Sequence, residues 1–279
     1  MPELPEVQTI VNDLIAAGII GQRIVSASVY WPGSIAGLCP AEFCQQISGR
    51  ELTSIRRRGK YVVLDLMPEG ALLIHLRMSG RILLTDPKTP HLKHQHVILE
   101  LNSRYLIRFQ DPRKFGRLQL VADAREILDR LGPEPLEPAF SASSLMQRLR
   151  LKKRAIKPLL LDQQFVAGLG NIYADEALWE AGIHPLANSQ ALSDRQIINL
   201  HRSIRKVLRL GLKNGGTALG NGLSNFHSIK LHRGQNRTQL KVFRRTGQAC
   251  LRCGNPIERL MVGQRSTHIC SQCQIRPST

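Results

Sequence analysis

Four cysteines near the C-terminus constrain this chain more than any other feature. They read Cys250-x2-Cys253-x16-Cys270-x2-Cys273, two knuckles separated by a span long enough for a hairpin. That spacing fits one tetrahedral Zn2+ bound through four thiolates, with paired disulfides as the alternative use of the same residues. A closed four-thiolate shell leaves no open coordination position, so a zinc held there is structural rather than catalytic. The module spans 240–276, too short for a core of its own, and the metal must supply its folding energy. Between the knuckles, Val262-Gly263-Gln264-Arg265-Ser266-Thr267 reads as a hairpin tip. Arg265 on that tip is either solvated or a phosphate contact through its planar fork. Cys39 and Cys44 have no ligand-like neighbours in sequence and read as reduced thiols.

Charge narrows the class of partner. The formal net charge is +18, and residues 188–279 hold 16 of the 39 Lys and Arg against two acids, Asp194 and Glu258. So one-sided a field points to a polyanion, above all nucleic acid. A hydrophobic share of 42% with 22% charged residues is that of a folded chain. No run of about 18 apolar residues exists to span a membrane as a helix. Met1-Pro2-Glu3-Leu4-Pro5-Glu6 lacks the basic and apolar regions of a signal peptide, so a cytosolic protein is expected.

The 279 residues predict at least two domains. A short helix opens the chain, with Pro5 in its first turn, Val7, Ile10, Val11, Leu14 and Ile15 at helical spacing, and Gly18 ending it. Period-two alternation then predicts strands at 22–31, 51–57, 60–67, 71–77, 81–84, 96–101, 104–110 and 116–121, a β-sandwich or barrel. Leu131-Gly132-Pro133-Glu134-Pro135-Leu136-Glu137-Pro138 is rich in breakers and reads as a boundary. Helices are expected at 142–149, 155–162, 171–182 and 193–213, followed by a glycine-rich stretch to residue 240.

Several segments allow both a chemical and a structural reading. Val166-Ala167-Gly168-Leu169-Gly170-Asn171-Ile172-Tyr173 is a glycine-rich turn opening a helix. It serves either as an anion site or as a tight packing corner. Arg148, Arg150, Lys152, Lys153, Arg154 and Lys157 form a basic run that would otherwise be a solvated helix face. In Asp111-Pro112-Arg113-Lys114-Phe115-Gly116, strand alternation would put Arg113 and Phe115 on one side. There Phe115 is either a core residue or a wedge for a base stack. His75-Leu76-Arg77-Met78-Ser79-Gly80 and Lys93-His94-Gln95-His96 add polar groups at strand ends.

Together these motifs resemble the bacterial formamidopyrimidine-DNA glycosylases, base-excision repair enzymes that remove 8-oxoguanine and ring-opened purines. The resemblance runs the full length, through Pro2-Glu3-Leu4-Pro5-Glu6-Val7, residues 75–80, 111–116 and 168–176, and the four cysteines. It implies an α+β multidomain fold: an N-terminal catalytic β-sandwich with a leading helix (1–132), a linker (133–151), a helix–two-turns–helix domain with a lesion-capping loop (152–239) and a zinc finger (240–276). Damaged double-stranded DNA would lie in the cleft between domains. The resemblance makes Pro2, exposed by removal of Met1, the nucleophile, and Glu3 the general acid/base. It assigns Lys60 to the lyase steps and Arg265 to the final elimination. Met78, Arg113 and Phe115 would fill the space left by a flipped nucleotide. His75, His94, Arg113, Lys152 and Asn171 would bind DNA. One structural Zn2+, no organic cofactor, a monomer, and a place on the nucleoid in the bacterial cytosol complete the expectation.

Gln95 departs from the family where Asp is common between the two histidines, Ala249 where Pro is frequent, and Arg244 where Gly is frequent. The loop 217–237 matches poorly, which leaves base preference open. The endonuclease VIII branch, which prefers oxidised pyrimidines, is the nearest rival, but it typically begins Pro-Glu-Gly-Pro. A catalytically silent binder of damaged DNA is the second rival, set against intact Pro2, Glu3, Lys60 and Arg265.

Overall fold

Alternating apolar residues build the first of two units, which comprises Met1–Asp129 and Leu212–Arg237. A computed structural model describes residues 1–219, 226, 229 and 234–276. The unit's strands are β1 (Ile24–Val29), β2 (Glu51–Arg58), β3 (Tyr61–Met67), β4 (Ala71–His75), β5 (Arg81–Thr85), β6 (Gln95–Leu101), β7 (Leu106–Gln110) and β8 (Arg117–Val121). They lie within two residues of the expected ends. Two four-stranded antiparallel sheets result, in the orders β1-β6-β7-β5 and β2-β3-β4-β8. Leu64, Ile74 and Leu118 from one sheet and Val97, Ile107 and Phe109 from the other meet in a single apolar cluster. This is the sandwich that the alternation predicted.

Helix α1 (Leu4–Ala16) adds Val7, Ile10, Val11 and Leu14 to that cluster. Glu3 caps it, its N–H donating to Glu6 Oε2 at 2.8 Å. Helix α2 (Pro40–Ile47) is an element for which no pattern argued. Its cap is Cys39, whose Sγ accepts from Glu42 N–H while Glu42 accepts from the Cys39 N–H. A thiol in place of Ser or Thr hides a capping box from sequence reading. Helix α3 (Arg125–Leu128) closes the continuous part of the unit.

The second unit comprises Arg130–Gly211 and Thr238–Thr279. Its helices are α4 (Ala142–Arg150), α5 (Ile156–Leu161), α6 (Asn171–Ala181) and α7 (Asp194–Lys213), which runs two residues into the first unit's sequence. Ser193 and Gln196 cap α7 reciprocally, Ser193 Oγ accepting from Gln196 N–H and Gln196 Oε1 from Ser193 N–H. The hairpin β9 (Glu258–Val262) and β10 (Arg265–Ile269) turns through Gly263 and Gln264, at φ 54° and 61°. Positive φ at both central residues makes this a type I′ turn, whose twist suits a two-residue hairpin.

Polar contacts from α6 hold the cysteine module in place. Glu176 is buried and accepts hydrogen bonds from the N–H groups of Lys241, Val242 and Phe243 at 2.8, 3.0 and 2.9 Å. Burial pushes the Glu176 carboxyl up from its ordinary pKa, and the three donors pull it back. Trp179, one turn on, packs with Val242, Cys250, Ile257 and Cys270.

Glu176→Ala would strand three N–H groups away from water. Urea unfolding of the zinc-loaded protein should show the second unit weakened by roughly 3 kcal/mol or more, since each unsatisfied donor costs about 1–3 kcal/mol. Glu176→Gln keeps an acceptor oxygen and should lose less. Parent-like curves for both variants would mean that α6 does not hold the module by this carboxylate.

Candidate nucleic-acid interface and metal centre

A buried carboxylate organises the exposed turn that was expected to enter DNA. Strand β7 ends at Gln110 and β8 begins at Arg117, so Arg113 and Phe115 stand in a turn, not on a strand. Their common side therefore owes nothing to strand alternation. Asp111, fully buried, accepts from the N–H groups of Arg113 at 3.1 Å, Phe115 at 2.8 Å and Gly116 at 2.7 Å. The turn closes around one side chain. Phe115 is left 46% exposed, too open for a core residue, and the Arg113 guanidinium lies over its ring, 4.8 Å from the centroid. Gly116 is required because a Cβ there would lie 2.4 Å from Phe109 Cζ.

Asp111 also accepts from Ser79 Oγ. That bond ties the turn to the loop carrying Met78, which is likewise exposed. Three side chains expected to replace a flipped nucleotide thus stand on two loops sharing one anchor. Asp111 N–H donates to His94 O at 2.9 Å, and His96 Nε2 contacts Asp111 O at 2.8 Å. His94 sits at φ 70°, an uncommon conformation for a residue with a Cβ.

The remaining expected residues of this unit cluster by sequence neighbourhood and strand register. Lys60 follows Gly59 in the two-residue turn between β2 and β3, and it is buried. Tyr61 pairs with His75 across β3 and β4, the two rings edge to face at 4.7 Å. Burial, together with the charges of Arg77 and Lys60, pushes His75 down to about 3. It is therefore neutral at pH 7, and its Nδ1 accepts from Arg77 N–H at 3.0 Å. Pro2 and Glu3 are buried at the head of α1. Glu6, buried beside them, accepts from Glu3 N–H through Oε2 and from Thr217 N–H through Oε1 at 2.7 Å. The same carboxylate thus holds the start of α1, where Pro2 and Glu3 were expected to react, and the root of the loop 217–237. Most of that loop lies outside the described residues. Its two ends pair at Thr217 and Gln235.

In the second unit the basic run divides. Lys157 is completely buried, 2.6 Å from Asp175 Oδ1, and donates to Thr267 Oγ1 at 2.7 Å and Ser266 O at 3.1 Å. Arg148 bonds the carbonyls of Gln164 and Phe165, Arg150 pairs with Asp194, and Arg154 with Asp162. This corrects the reading of 148–157 as one basic face, because only Lys152 and Lys153 reach solvent without an ion-pair partner among the described residues. Within the run only Lys157 is buried, while Arg150 and Arg154 are paired at the surface.

Asn171, first residue of α6, donates through Nδ2 to Ser266 O at 2.8 Å. Asp175 Oδ2 receives the His268 N–H at 2.9 Å. Lys157, Asn171 and Asp175 thereby hold β10 at Ser266, Thr267 and His268, next to the exposed Arg265. Gly168 adopts φ 84° and its N–H goes to Gln163 Oε1. The glycine-rich turn is thus a packing corner at that residue.

The four cysteine sulfurs all lie within 4.8 Å of one another, with Cys250–Cys273 at 3.9 Å and Cys253–Cys270 at 3.3 Å. Tetrahedral zinc with Zn–S bonds of about 2.3 Å sets sulfurs about 3.8 Å apart, so the four fit that ion and are too far apart for disulfides. Cys250 Sγ accepts from Arg252 N–H at 3.4 Å. Burial raises the Cys250 thiol, but N–H donors from Arg252 and Cys253 outweigh it and pull the group down to about 6. A sulfur so placed is ready to bind metal as thiolate.

Residues that sequence reading passed over do much of the positioning: Glu6, Ser79, Arg108, Asp175 and Glu176. Asp175 and Glu176 stand in the otherwise apolar Tyr173-Ala174-Asp175-Glu176-Ala177-Leu178. Two acids on a buried helix face were the available signal.

Comparison with known proteins gives a consistent picture. Residues 1–118 match the formamidopyrimidine-DNA glycosylase N-terminal domain, residues 131–221 its H2TH domain, and residues 247–275 the zinc finger found in FPG and IleRS. The formamidopyrimidine-DNA glycosylase of Protochlamydia amoebophila is 44% identical over 98% of this chain and 99% of its own. That of Roseiflexus is 44% identical over 98% and 100%. A crystal structure of the Lactococcus lactis protein with DNA containing Fapy-dG has a TM-score of 0.90 at 35% identity, covering 99% of this chain and 100% of that one. Another, with DNA containing an abasic site, gives 0.90 at 34% identity, covering 98% and 100%.

Neutral buried His75 makes stability depend on pH. The unfolded chain protonates this residue below about 6.5 while the folded one stays neutral until about 3. Its contribution is full above 6.5 and is lost as pH falls through that window. Chemical denaturation at pH 7 and pH 5 should show the parent losing ~2 kcal/mol more than His75→Gln. Parallel losses would mean that His75 carries its proton in the folded state.

Proposed function

The chain belongs to the formamidopyrimidine-DNA glycosylase family, and we propose that it excises oxidised purines, 8-oxoguanine and formamidopyrimidines, and then cuts the strand by β,δ-elimination. It is a DNA glycosylase of base-excision repair, its partner is damaged DNA, and one structural zinc belongs to its cysteine module. The observation that carries the purine reading is the exposed Arg113–Phe115 turn, bonded to the Met78 loop through Asp111 and Ser79. An enzyme acting at C1′ must take its base out of the stack, at a cost of a few kcal/mol. Exposed apolar and cationic side chains on a rigid mount suit that task.

Pro2 acts as the nucleophile once Met1 is removed, because with Met1 attached its nitrogen is an amide. A free α-amine titrates near pH ~8, which leaves a useful neutral fraction at pH 7. Its lone pair forms a bond to C1′ as the glycosidic bond to the base breaks, the base leaving with the bonding pair and taking up the proton that the nitrogen gives up. Ring opening follows, with Glu3 donating a proton to the sugar oxygen, and leaves an iminium between Pro2 and the sugar. Lys60 serves the elimination at the 3′ phosphate and Arg265 the final one. His75, His94, Arg113, Lys152 and Asn171 bind DNA. Zinc, when bound by Cys250, Cys253, Cys270 and Cys273, supplies folding energy and no chemistry at the sugar.

The functional partition we assign is a catalytic sandwich at 1–132, a linker at 133–151, the helix–two-turns–helix region with its lesion-capping loop at 152–239, and the finger at 240–276. No described helix is long and apolar enough to cross a membrane. The protein works as a monomer, without organic cofactor, on nucleoid DNA in the bacterial cytosol.

Borohydride trapping on duplexes carrying 8-oxoguanine, 5,6-dihydrouracil or an abasic site tests the reading directly. The parent should trap with 8-oxoguanine and abasic DNA. Pro2→Gly, or protein that retains Met1, should bind DNA and neither trap nor cleave. Wild-type cleavage by Met1-retained protein would exclude Pro2, and preferential trapping on 5,6-dihydrouracil would exclude the purine assignment.

Salt titration separates the roles of the contacts. Lys152→Ala should weaken binding to every duplex and lower the slope of log K against log salt by about one. Asn171→Ala deletes no charge and should weaken binding at nearly unchanged slope. Phe115→Ala should cut excision from stable duplex DNA far more than it cuts binding to undamaged DNA. Intact excision by a folded Phe115→Ala protein would remove the wedge from the mechanism.

A further inference from the structure

Arg108 is the largest fully buried side chain among the described residues, and the reaction gives it nothing to do. It lies in the middle of β7, where Ile107 and Phe109 join the core. By alternation Arg108 and Gln110 point to the opposite face. That face is covered by the loop 86–94. The Arg108 guanidinium donates to Pro90 O at 2.8 Å, to Thr89 O and to Gln95 Oε1 at 3.0 Å. Gln110 Nε2 donates to Lys93 O at 2.9 Å, and Gln95 Oε1 also receives Leu92 N–H at 3.0 Å. The bonds to Thr89, Pro90 and Lys93, and that from Leu92 to Gln95, tie the loop to the sheet.

None of the acceptors of Arg108 is a carboxylate. A buried guanidinium without a counter-charge contributes little net stability, since its desolvation is offset only by neutral dipoles. What it does supply is a planar fork that reaches several carbonyls at once. Replacing those contacts would take more than one ordinary side chain. The loop that it fixes carries Lys88, His91, Lys93 and, at its end, His94 in a left-handed conformation. On its far side His94 is bonded through its carbonyl to Asp111 N–H, the head of the wedge turn.

We propose that Arg108 is a positioning residue for DNA binding, fixing the loop 86–94 from beneath and so setting the place of His94. The inference rests on the reading of His94 as a DNA contact. At 2% exposure, Arg108 acts on DNA only through the loop above it.

A double-mutant cycle tests this, with dissociation constants measured on a duplex carrying a tetrahydrofuran abasic analogue. Arg108→Met keeps side-chain length and removes every donor. Arg108→Met and His94→Ala should each weaken binding about tenfold, and the double variant should bind no more weakly than the worse single one. Trypsin should cut Arg108→Met after Lys88 and Lys93 at least about tenfold faster than the parent, read from fragment masses. Arg108→Lys, which keeps the charge but not the fork, should behave more like Arg108→Met than like the parent. If Arg108→Met does not fold, Gln110→Leu removes only the bond to Lys93 O and should show the same non-additive pattern at smaller size. Parent-like binding by Arg108→Met beside an impaired His94→Ala overturns the proposal, as do additive effects or unchanged cleavage after Lys88 and Lys93. Parent-like binding by His94→Ala instead defeats the reading of His94, and the proposal falls with it.

Discussion

A carboxylate removed from water keeps its charge only if hydrogen-bond donors replace the water it lost. Glu6, Asp111, Asp175 and Glu176 accept backbone N–H groups in this way, and the segments described above hang from them. Glu6 takes the N–H groups of Glu3 and Thr217. Asp111 takes three from its own turn. Asp175 takes that of His268, and Glu176 takes three consecutive ones at 241–243. In each case the donors belong to a segment with little periodicity of its own, and a charged acceptor strengthens each bond. The chain is strongly basic overall, yet its architecture is organised by a few buried carboxyl groups.

Each unit thereby gains rigidity where its chemistry needs it. In the first unit the wedge turn, the Met78 loop and the His94 carbonyl converge on Asp111, so three segments share one reference point. In the second, Lys157 and Asp175 form a buried pair that also bonds Ser266, Thr267 and His268 of β10, close to Arg265. A buried ion pair is a poor source of stability, but it is exacting about geometry. The pair therefore fixes the place of β10 more than it adds to stability.

Sequence reading found what repeats and what is counted. The eight strands were legible because alternation marks a sheet with one face in a core, and the cysteine module because metal ligands obey spacing. It misread whatever depends on a partner far along the chain. Lys157 looks like its neighbours Lys152 and Lys153; only Asp175 and Thr267, distant in sequence, distinguish it. Arg113 and Phe115 were rightly paired but for the wrong cause, since the side chain of Asp111 and not strand pleating turns them. Helix α2 was missed because a cysteine does the work of a serine at its cap. The assignment of Pro2 and Glu3 as reacting groups rests on resemblance alone, because a terminal amine leaves no mark in composition.

The bonds that hold these segments run from side chain to main chain, which makes tolerance to mutation lopsided. Any residue except proline can offer the N–H that Glu176 accepts, so Lys241, Val242 and Phe243 are free to drift as far as their own packing permits. Glu176 has no such freedom, because no other side chain brings the same charge at the same reach. A survey of random substitutions would therefore find its rare, intolerant positions on the acceptors. It would find the positions that supply only a backbone N–H more permissive, except where proline is introduced.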